Sequence, residues 1–115
     1  MNARDFVAAI RNIVMDAAVT DTMSVVQRPP GKRPAVDLVE LSAWYNGLSD
    51  ADRAMLKRML TIVARNAVFG FFAVLDGSRQ VDPAAGANDY FELRHVHGET
   101  DVLSGPKGES LHELL

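Results

Sequence analysis

The sequence predicts an α+β fold that is mainly α: three helices (about 3–27, 34–46 and 49–76), a β-hairpin (about 90–104) and a short C-terminal helical turn. Three observations carry this. Apolar residues recur every three or four positions through the first two-thirds of the chain, Pro and Gly clusters punctuate that pattern, and residues after 89 alternate instead. At 115 residues and 48% hydrophobic, the chain reads as a single domain, 1–115, large enough to bury a core without metal or disulfide support.

The first helix rests on Phe6, Ile10, Ile13, Val14 and Ala17, with Arg4, Asp5, Arg11, Asn12 and Asp16 opposite. It must stop before Pro29-Pro30, because the residue ahead of a proline is pushed out of helical geometry. Residues 28–34 then form a stiff basic connector. Pro34 fits the first turn of the second helix, where its missing N–H costs nothing, and Leu38, Leu41, Trp44 and Tyr45 are expected on its buried face.

After the Asn46-Gly47 turn, Ser49 followed by Asp52 resembles a capping box and opens a third helix. Met55, Leu56, Met59, Leu60, Val63 and Ala67 form its expected inward face. From Val68 to Leu75 the chain is apolar on every side, which suits a helix covered all round and ended by Gly77. Asp76-Gly77 is also a two-residue hairpin signal; the unbroken helical period favours the helix. Asp76 would then oppose the helix dipole and need a partner such as Arg79. Residues 82–89 are loop by composition, and alternation beyond them places Phe91, Leu93, His95 and His97 on one face of a hairpin.

Composition excludes several functions. With no Cys there is no disulfide, thiolate metal site or cysteine nucleophile, which fits a reducing cytoplasm. The N-terminal residues show no signal peptide, and the longest apolar run, 67–75, is about half a membrane span, so no membrane role is expected. Net charge is −3, with the acidic excess in residues 81–115. That distribution opposes nucleic-acid binding and favours a basic protein partner.

Candidate sites follow from spacing. His95 and His97 lie two apart on a strand and share a face, but His112, Glu109 and Glu113 are their only distant third ligands, so neither a metal nor another cofactor is assigned. Asp76 and Arg79, at the end of the apolar segment, join His95 and His97 as a candidate ligand-binding set. Asp82, Asp89, Glu92, Glu99 and Asp101 form a candidate acidic patch for a basic partner. No Gly-x-Ser-x-Gly elbow or phosphate-binding glycine spacing occurs, and no catalytic residue is assigned. The third helix, the aromatic residues and five Met together exceed what three helices and a hairpin readily cover, which points to a homodimer.

The Trp44-Tyr-Asn-Gly-Leu-Ser-Asp50 turn, Phe69-Gly-Phe-Phe72, Leu75-Asp-Gly77, the acidic hairpin and Leu111-His-Glu-Leu114 together resemble small bacterial domains of uncharacterised function. Some proteins of that kind are immunity partners of secreted toxins. The resemblance spans about residues 41–115 and carries over no functional residue. It implies a bacterial cytoplasmic protein. Two functions follow as expectations: a non-catalytic interaction or immunity-like module using the acidic surface, or a small enzyme or ligand- or metal-binding domain with a pocket near Asp76, Arg79, His95 and His97.

Overall fold

Residues 3–27 run as one helical rod, as the spacing predicts, but in three pieces: α1 (Ala3–Ile10), a π-helical segment (Arg11–Asp16) and α2 (Ala17–Gln27). The computed structural model describes residues 1–115. Asn2 caps α1 by accepting the Asp5 N–H at 2.8 Å. The π segment overturns the expected inward face. Ile13 and Val14 are exposed, and the buried positions are Ala3, Val7, Met15 and Val19. In an unbroken α-helix Val7 and Met15, eight residues apart, would diverge by about 80°. The wider π turns absorb about one extra residue, so the pair behaves as if seven apart and realigns.

α3 spans Val36–Asn46. Pro34 lies ahead of it and not in its first turn, because Ala35 takes the extended cap position. Tyr45 and Ser42 are buried, Leu38 is half-buried, and Leu41 and Trp44 are exposed, against expectation. The Arg53 guanidinium fixes this register. It stacks over the Tyr45 ring and donates to the carbonyls of Tyr45 (3.2 Å) and Asn46 (2.8 Å) at the helix C-terminus.

α4 (Asp50–Leu75) begins where Ser49 accepts the Asp52 N–H at 3.1 Å. It ends in a Schellman motif: the Ser78 N–H bonds the Ala73 carbonyl (2.9 Å), the Gly77 N–H bonds the Val74 carbonyl (3.2 Å), and Gly77 takes φ +80°. The helix therefore wins over the hairpin at 76–77. It is not covered all round. Leu56, Leu60, Ala64, Val68 and Phe72 repeat every four residues on the covered side, while Met55, Met59, Val63, Ala67 and Phe71 face outward.

β1 (Leu93–Val96) and β2 (Thr100–Ser104) pair antiparallel, the ladder opening three residues later than expected and leaving Phe91 and Glu92 outside it. A bulge separates the Leu93↔Ser104 and Arg94↔Val102 pairs, so Leu103 and Ser104 are both buried although adjacent. α5 (Leu111–Leu114) packs its leucines as predicted. The central cluster joins Ala3, Val7, Phe72 and Leu111, ringed by Phe6, Ile10, Val68, Leu75 and Leu93. It ties α1, α4, α5 and the hairpin at one end of the molecule.

The other end is thinly covered. Twelve of 115 residues are buried, the accessible surface is 8307 Å², and the radius of gyration is 18.5 Å. Compact monomers of this size have about 6,200 Å² and about 13 Å. Because Leu111 is fully buried in the cluster, Leu111→Ala should destabilise the fold by about 2–5 kcal/mol, read as a lowered midpoint in urea unfolding.

Candidate functional site

Asp76, the C-cap residue of α4, does not pair with Arg79. Its side chain is 3% exposed and accepts from three directions. Oδ1 takes the Ser104 hydroxyl at 2.8 Å; Oδ2 takes the His112 backbone N–H at 2.9 Å and the His112 Nδ1–H at 2.7 Å. A carboxylate placed against the free N–H groups of α5 compensates its own unfavourable position at the end of α4. Burial pushes its pKa up, but the hydrogen bonds from the His112 backbone and ring, the Leu111 backbone and Ser104 outweigh that and hold the carboxyl below its ordinary value of 3.8. Phe69 meets the His112 ring edge-on at 5.3 Å.

Ser, His and Asp thus meet, but in an order unlike that of a nucleophilic triad. The carboxylate, not the imidazole, receives the hydroxyl proton, and Ser104 is fully buried. The group acts as a clasp joining α4, β2 and α5.

Arg79 lies elsewhere. Its guanidinium crosses Gly70, where a Cβ would stand 2.6 Å from Nη1. With Asp82, Asp89, Tyr90 and Phe91 it lines an open cavity of about 390 Å³ that includes neither Asp76 nor the histidines. Asp82 accepts the Ala84 N–H (2.9 Å) and Asp89 the Gly86 N–H (3.0 Å), so both carboxylates close turns of their own loop. Glu92 pairs with Arg94, while Glu99 stays exposed at the hairpin turn. The expected acidic patch is therefore largely engaged in local contacts.

His95 and His97 stack at 4.7 Å on the hairpin, on the shared face the alternation predicts. Their third neighbour is Asp101, directly across the ladder from His95. Asp101 Oδ2 lies 2.8 Å from His97 Nε2, 3.9 Å from His95 Nδ1 and 2.9 Å from the Met1 ammonium. Hydrogen bonds from that ammonium and from His97 hold the Asp101 carboxyl below its ordinary value. His95 Nδ1 is buried and has no hydrogen-bond partner.

The candidate ligand set therefore falls into three separate places: Asp76 in the clasp, Arg79 in the cavity, and His95 with His97 on the hairpin. Sequence reasoning assigned no part to Ser104 and gave His112 only as a distant metal ligand. Their meeting depends on the bulge and on α5 folding back, neither of which leaves a short-range signal. Comparison with protein-family models, curated proteins and solved structures finds no match.

The clasp gives a pH dependence. A carboxyl whose pKa is lower folded than unfolded adds stability above the unfolded value, and that contribution disappears as pH falls from about 3.8 through the folded value. Unfolding free energy of the wild type should therefore fall with pH below about 4, and Asp76→Asn should flatten that slope while costing roughly 1.5–3 kcal/mol at neutral pH. Denaturant titrations at several pH values check both.

Proposed function

We propose that this chain is a non-catalytic protein–protein interaction module that works as a homodimer, with the outward face of α4 as the seam. The observation that carries this reading is the surface surplus: the chain exposes about 2,000 Å² more than a compact monomer of its mass. Covering about 1,000 Å² on each protomer would give a total interface of about 2,000 Å², in the range of obligate dimers.

The residues fit that use. At about 100° per residue, Met55, Met59, Ile62 and Phe69 fall within an arc of about 80° along α4. Met59 is 63% exposed, and Trp44, in the last turn of α3 ahead of the 47–49 turn, is 55% exposed. A surface helix of a monomer carries polar residues on the side away from its core; α4 has apolar residues on both sides. Methionines suit a self-complementary seam because their unbranched side chains adapt to one another.

α4 is also long and apolar enough to cross a membrane, with a mean hydropathy of 1.5 over 18 residues, 17% of them buried. Arg65 and Asn66 near its middle oppose insertion, an arginine there costing about 2.5–3.5 kcal/mol or more. A second copy of the chain is the better occupant, because each exposed stripe meets its own equivalent across a two-fold axis.

Sedimentation equilibrium should give twice the chain mass of 12.6 kDa. The double variant Met59→Lys, Ile62→Lys should sediment as a monomer with its helical circular dichroism retained. A wild type that stays monomeric at its highest soluble concentration, or that floats with lipid vesicles without dimerising, overturns the proposal.

A further inference from the structure

We propose that His95, His97 and Asp101 form a binding site for a borderline divalent transition-metal ion, Zn²⁺ being the representative, and that the ion staples β1 to β2. The three side chains come from β1 (His95), the turn that follows it (His97) and β2 (Asp101), not from one helix or loop. His95 faces Asp101 across the ladder, and His97 returns to the same face two residues on. One ligand atom from each lies within 4.8 Å of the others.

The donor set matches the ion class. Two imidazole nitrogens and one carboxylate oxygen suit Zn²⁺ and its neighbours, whereas Mg²⁺ and Ca²⁺ prefer oxygen throughout. Ion–ligand distances near 2.0–2.2 Å in a tetrahedron place ligand atoms about 3.3 Å apart. The separations from Asp101 Oδ2, 2.8 Å to His97 Nε2 and 3.9 Å to His95 Nδ1, fall on either side of that figure, and the whole set lies within 4.8 Å, so rotation of the stacked imidazoles toward one another closes the site. The fourth position is open to water.

A second observation points the same way. His95 Nδ1 is withdrawn from solvent and bonded to nothing, yet it is aimed at the carboxylate that holds His97. A buried polar atom without a partner is unfavourable, and coordination removes that cost. The hairpin stands to gain as well, because its sheet has only two strands, and an isolated pair is marginal in water. The Met1 ammonium, 2.9 Å from the same Asp101 Oδ2, is the group the ion would displace.

Calorimetric titration of the full chain with ZnCl₂ tests this. The expected result is one ion per chain, with His95→Ala and Asp101→Asn each weakening uptake roughly tenfold or more. Long-range ¹⁵N–¹H spectra of the wild type give a readout that does not depend on those variants folding: the imidazole signals of His95 and His97 should move with added Zn²⁺ while those of His112 stay. No uptake, uptake unchanged in both folded variants, or movement of the His112 signals alone overturns the site.

Discussion

One buried carboxylate organises the C-terminal half of this molecule. Asp76 closes α4, receives the first N–H groups of α5 and takes the Ser104 hydroxyl from β2. None of these elements is self-sufficient: α5 is a single turn and the sheet has two strands. The central cluster supplies their adhesion, and Asp76 supplies their relative position. An aspartate at a helix C-terminus would be unfavourable by itself; four donors from elsewhere in the chain make it the point to which α5 and the hairpin are fixed.

Seen from that end, the molecule is asymmetric. Packing is dense where α1, α4, α5 and the hairpin converge, and it thins along α4 toward Asp50, where α2 and the π segment cover only one side. α4 connects a finished core to an unfinished one. A chain that invests its polar network at one end and leaves Met55, Met59 and Ile62 bare at the other has separated the part that folds it from the apolar part it exposes.

The element order was legible in the sequence because it depends on local signals: Ser49 at a helix start, Pro29-Pro30 and Gly77 at helix ends, alternation in the hairpin. The faces were less legible. Periodicity shows that residues share a side, but not whether anything lies against it, so Leu56 and Met55 read alike although one is half-buried and the other exposed. The site residues scattered for a related reason. Asp76, Arg79, His95 and His97 are all chemically capable groups, but the partners of Asp76, Ser104 and His112, lie 28 and 36 residues away, while Arg79 turns back over Gly70 and the histidines meet Asp101 across the hairpin. Asp101, four residues from His97, was within reach of a sequence reading, and the hairpin register identifies it as His95's partner.

The π segment at Arg11–Asp16 bears on how the first rod tolerates a change of length. It accommodates one residue beyond what an α-helix of the same length would hold, and it leaves both flanking faces, Ala3–Val7 and Met15–Val19, aligned on the same core. One residue more is thus fitted into the rod without repacking its core. A chain shorter by one residue anywhere in this segment would relax to an uninterrupted α-helix and keep the same buried partners.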